Sequence, residues 1–246
     1  MANVMYSGTE FRSQDVLVET SLYETLYRLQ EAHYGLRPHT PQQIRDALDW
    51  IESRQDPCSR RLVFERTDFD REMTGGYRAA SGEHVKVRYI KLPTGEGTWN
   101  SAVQFIRLLL NWEEPSVEIV QRAKASFLEA YPFPHAAPGR FCCARCNAVY
   151  QPTLRLVDSE QYDAQEPAFF ETLRRDRAEG HRWKQHPFYY TILALDEIGT
   201  DAARRELHHV ARHIRPSLLR RYQAKDDRPS RFRRLAIETA LKYVQV

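Results

Sequence analysis

Apolar residues fall mostly at helical spacing along this chain. In DVLVETSLYETLYRLQEAH, Leu22, Leu26 and Leu29 repeat on one face, and Val18 and Tyr23 widen it. HTPQQIRDALDWIESRQ follows, with Thr40 placed as an N-cap, Pro41 at the first helical position and Gln43 closing a capping box. Ile44, Leu48 and Ile51 mark its buried face, so the two segments predict a helical hairpin. Beyond Asn100, WNSAVQFIRLLLNW carries Val103, Ile106 and Leu110 in register. PSVEIVQRAKASFLEAY, started by Pro115, does the same with Val117, Val120, Lys124 and Phe127.

The last third repeats the pattern. EPAFFETLRRDRAEG predicts a helix from Pro167 to a stop at Gly180, and HPFYYTILALDEIG another from Pro187 to Gly199. Thr200 caps DAARRELHHVARHI, Pro216 kinks or ends that element, and Ser230 opens a final helix. The expected class is all-α, with paired antiparallel helices packed as an α/α toroid or a helical solenoid. Three prolines in YPFPHAAPG break the chain near its middle, predicting N- and C-terminal helical lobes over 1–130 and 131–246, or one continuous domain.

One stretch departs from the helical rhythm. From about residue 58 to 98 the chain contains Gly75 and Gly76, a short alternation at Val85, Val87 and Tyr89, and the turn signal PTGEG. It predicts a long loop with a short strand, either a functional lid or a plain insertion.

Composition sharpens this only in places. Ten glycines in 246 residues are too few for a chain of many tight turns, which favours helices. No apolar run approaches the roughly 20 residues of a membrane span, and MANVMYSGTEFRSQD lacks the basic and apolar regions of a signal peptide. Four cysteines, three of them within FCCARC, do not make a disulfide framework, so a reducing, cytoplasmic setting is expected. A net charge of +3 does not by itself argue for a nucleic-acid partner.

FCCARCNAVY leaves three readings open. Cys143 and Cys146 have the spacing to grip one zinc, with Cys58 and His135 as the remaining ligands. Alternatively Cys142 and Cys146 stand one helical turn apart, continued by Val149, Thr153 and Leu156, and serve as small core residues, although Pro152 counts against an unbroken helix. Arg140 and Arg145 would also favour a reactive thiolate.

Other candidates lie downstream. Trp183, His186, Tyr189 and Tyr190 are either core aromatics or a ligand-binding wall with a polar handle. Glu206, His209 and His213 share a helix face opposite the stripe of Ala203, Leu207, Val210 and Ile214, which predicts solvated surface rather than a metal face. Between Asp201 and Leu235 ten arginines and one lysine face four acids. Arg204, Arg205, Arg212, Arg215, Arg220, Arg221, Arg231, Arg233 and Arg234 could track a phosphate backbone, pair with acids elsewhere, or hold a diphosphate-bearing ligand.

The order CxxCNAV, a segment ending EGHRW, HPFYYTILALDEIG and then a basic helix resembles helical bacterial proteins that are themselves similar to the prenyltransferase and squalene-cyclase α/α-repeat class. TDFDREMTGGYRAASGE fits the same pattern. The resemblance implies paired helices around a central apolar cavity holding a small, isoprenoid-like ligand, with Asp68 and Asp70 as candidate acids for cyclase- or transferase-like chemistry. The final acid of a cyclase-type run is missing after Asp70, where Arg71 stands. The contrasting expectation is a non-enzymatic nucleic-acid or protein interaction module that uses the arginine-rich helices and carries a structural zinc.

Overall fold

The computed structural model describes residues 15–54, 90–91, 98–99, 101–112, 118–129, 139, 144–178 and 182–244. Among them are ten α-helices: α1 Leu22–His33, α2 Pro41–Ser53, α3 Ser101–Trp112, α4 Glu118–Glu129, α5 Ala144–Val157, α6 Ser159–Asp176, α7 Phe188–Ile198, α8 Asp201–Ala211, α9 Pro216–Gln223 and α10 Arg228–Leu241. The expected all-α class holds. Two-residue strands β1 Ile90–Lys91 and β2 Thr98–Trp99 pair antiparallel, Ile90 opposite Trp99, within the stretch expected to contain a short strand. The other residues of that stretch lie outside the described ones.

Capping fixes most helix starts. Ser21 accepts the Glu24 N–H ahead of α1, and Thr40 and Gln43 form both halves of the capping box on α2. Thr200 accepts the Ala203 N–H ahead of α8. Two starts differ from the sequence expectation. α6 begins at Ser159, capped by Asp158, and runs through Pro167. Pro167 is exposed, so the carbonyl it leaves without an N–H faces water and the helix tolerates the loss. α10 begins at Arg228 because Asp227 is the cap. Its carboxylate accepts the Ser230 N–H at 2.9 Å and the Ser230 hydroxyl at 2.9 Å, so Ser230 answers the cap rather than being it. Pro152 likewise sits inside α5, where the Thr153 hydroxyl turns back onto the Val149 carbonyl at 2.7 Å.

At the centre lies α7. Nine of its eleven residues are buried, so it has no solvent face and packs on α5, α8 and α10. One hydrophobic core runs from Val16 to Ala240 and takes residues from both sides of the expected 130/131 boundary. Phe127 of α4 stacks on Tyr150 of α5 across it, with ring centroids 5.1 Å apart.

Charge is also buried where helices meet. Glu31 of α1 accepts from Arg37, Arg228 and Arg231, and Glu24 accepts from Arg28 and Arg228, which ties α1 to the start of α10. Among the described residues no helix is long and apolar enough to cross a membrane.

Candidate functional site

Asp68, Asp70, Cys58, His135 and Cys143 lie outside the described residues, and of Cys146 only the backbone is described, in the first turn of α5. Among the described residues no group of three or more His, Cys, Asp or Glu could hold a metal ion.

Trp183, His186, Tyr189 and Tyr190 are all buried, and each has a polar partner. The Trp183 indole N–H donates to Glu206 Oε1 at 3.1 Å. His186 Nδ1 lies 2.7 Å from Asp176 Oδ2. Tyr189 and Tyr222 share a hydroxyl–hydroxyl bond of 3.1 Å, and the Tyr190 hydroxyl accepts from Gln30 at 3.5 Å. At the end of α7 both acids are engaged: Asp196 accepts from the Tyr243 hydroxyl at 2.7 Å, and Glu197 accepts from Tyr34. Arg107, fully buried on α3, lies 3.5 Å from Glu197. Burial works against the Glu197 charge, but Arg107, His33 and Tyr34 together hold its carboxyl below the usual carboxylate value.

Glu206 departs from its expected place on a solvated face. It is 3% exposed, because Arg177 and Trp183 pack against that side of α8. Arg177 grips its carboxylate with two nitrogens, and Trp183 donates to it as well. His209 and His213 remain on the outer side, their rings 5.1 Å apart.

Several bonds stitch that connecting chain down. Arg177 and Trp183 form an antiparallel bridge, the Ala178 N–H donates to Arg182, and the Lys184 N–H donates to the Asp176 carbonyl at 2.9 Å. The Asp176 carboxylate accepts the backbone N–H groups of Gln185 and His186 at 2.9 and 3.2 Å, besides facing the His186 ring. A polar cavity of about 290 Å³ opens beside this staple, lined by Ala144, Thr172, Arg175, Asp176, Gln185 and His186.

The two ends of the segment, Arg182 and Phe188, face a second and larger pocket of about 460 Å³ at the corner where α7, α8 and α9 meet. Its floor is apolar, from Phe188, Val210, Ile214 and Leu218. Arg182, Arg215, Arg221 and His213 supply the polar rim, and among the described residues no carboxylate lines it. The Arg182 guanidinium lies 4.7 Å from the Phe188 ring centre and Arg221 5.8 Å from that of Tyr222. Among the described residues none of these three arginines is in an ion pair. The first turn of α9, which has no side-chain cap, contributes Ser217 and Leu218.

Several tail arginines are engaged and others line the pocket, while Arg205, Arg212 and Arg220 are exposed. Arg228 and Arg231 are engaged with Glu24 and Glu31, Arg204 with Asp201, and Arg233 lies over the rings of Tyr189 and Tyr222. Arg215 and Arg221 belong to the corner pocket. Arg182 was not marked by the sequence pattern: it stands alone between Gly180 and Trp183, and only the return of the chain over α8 brings it to the other two. No family model, curated protein or solved structure matches this chain, so the prenyltransferase and cyclase resemblance gains no support from relatives.

Proposed function

We propose that this protein binds a small ligand with an apolar body and a phosphate-bearing head, of the isoprenoid-diphosphate kind, in the corner pocket between α7, α8 and α9. The observation that supports it is the pairing of an apolar floor with three arginines, with no acid on the rim among the described residues. A guanidinium recognises phosphate oxygens through two parallel N–H bonds. Three of them without a counter-charge favour a head with more than one negative charge over a single carboxylate. The start of α9 adds Ser217 and the positive end of its dipole. A cavity of about 460 Å³ lies within the usual range for small-molecule sites. The reading does not require a hollow toroid or solenoid, since α7 fills the middle of the described helices.

Titration calorimetry with geranyl diphosphate, inorganic diphosphate and geraniol tests it. Geranyl diphosphate should bind tightest, because only it uses floor and rim together. Arg215→Ala and Arg221→Ala should each weaken it about tenfold or more, the order expected for a lost charge-assisted hydrogen bond. Equal affinity for all three compounds, or none, sinks the proposal. A DNA or RNA oligonucleotide bound with steep salt dependence, and lost when the exposed Arg205, Arg212 and Arg220 are neutralised, would move the arginine-rich surface to a nucleic-acid role instead.

A further inference from the structure

We infer that Asp176 and Glu206 are positioning residues for the corner pocket, acting through Arg182 and Phe188; this rests on the ligand reading above. Neither carboxylate is among the described lining residues of that pocket, yet both hold the segment that carries Arg182. The segment from Arg182 to Pro187 is non-helical chain that bends at 184–186 before α7, and such a segment holds its course only where its polar groups are bound. Asp176 binds it near its end, taking the Gln185 and His186 N–H groups and facing the imidazole. Glu206 binds it at its start, taking the Trp183 indole N–H at 3.1 Å while Arg177 neutralises the charge. Glu206 also belongs to α8, which gives Val210 to the pocket floor one turn later and leads to His213 on the rim. One buried carboxylate therefore ties the wall carrying Arg182 to the wall carrying Val210.

The two staples act at a place where, among the described residues, the Arg182 guanidinium is in no ion pair. Its side chain is exposed and lies over Phe188 and Tyr189 by cation–π contact. Its direction is set by the backbone on either side: Trp183 pinned to Glu206, and Ala178 donating to the Arg182 carbonyl at 2.7 Å. Replacing either carboxylate with its amide keeps the shape but puts an NH2 group where N–H donors converge. That repels the segment without emptying the core.

The test is a set of double-mutant cycles read by calorimetric titration of geranyl diphosphate. Asp176→Asn, Glu206→Gln and the gentler Trp183→Phe are each combined with Arg182→Ala, with thermal melts confirming a folded protein. Each single positioning variant should weaken binding about tenfold, while in the Arg182→Ala background the same change should add less than about twofold. Loss that is equal in both backgrounds means general destabilisation and overturns the positioning role, as does wild-type affinity in all three variants. If Glu206→Gln or Asp176→Asn fails to fold, Trp183→Phe, which removes the indole donor and keeps a smaller aromatic ring, decides the matter. Wild-type protein that does not bind geranyl diphosphate at all overturns the ligand reading itself, and the positioning role falls with it.

Discussion

Glu24 shows how single charges are managed inside this protein. Burial alone would raise its carboxyl pKa, but hydrogen bonds and charge from Arg228 and Arg28 outweigh burial and hold it below the ordinary 4.5. A carboxyl depressed in the folded state stabilises the fold above its unfolded value and loses that contribution as the pH falls through the folded value. Glu197 behaves the same way beside Arg107. The melting temperature should therefore drop steeply from about pH 5 to about pH 3. Glu24→Gln should melt lower at neutral pH and show a shallower acid decline; parallel curves for the two proteins would refute the assignment. None of this was legible in the sequence. Asp196 and Glu197 are neighbours at the end of one helix, and their partners, Tyr243 and the pair Tyr34 and Arg107, come from distant segments.

Features that depend on three or four neighbouring residues were legible at the scale of the helix. The capping box of Thr40 and Gln43 is one such feature, because cap and partner sit within one turn. Thr40→Ala should cost about 1 kcal/mol of unfolding free energy, with Thr40→Ser nearly neutral, measured by denaturant titration. A Thr40→Ala protein as stable as wild type would mean the α2 start is held by packing alone. Pro167 misled the reading, since it lies inside α6 rather than at its start, and Pro152, which counted against an unbroken helix, also lies inside one. Sequence shows the missing N–H but not whether water reaches the carbonyl it leaves free. Glu206 misled it for another reason. The stripe of Ala203, Leu207 and Val210 correctly marks one buried side of α8, but a helix covered on a second side carries no second stripe when the cover is polar.

For the molecule as a whole, the all-α class followed from periodicity, whereas the corner pocket did not. Its residues come from the α6–α7 connection, the end of α8 and the start of α9, and only the folded chain makes them neighbours. The same holds for the closure of the core. α10 packs on α7 and, through Arg228, on Glu24 and Glu31 of α1, so the last helix fastens the first. Deleting the chain after Ala224 should abolish cooperative thermal unfolding and produce a species that binds hydrophobic dyes. A shortened chain that still melts in one sharp transition would show that α10 is an accessory. The apolar girth of α7 then has a consequence for how a cell makes this protein. A ribosome adds about 5–20 residues per second, so for seconds α7 has left the exit tunnel while α10 is still being translated. During that interval the side of α7 that α10 covers offers oil to water, and a holding chaperone has its clearest target there.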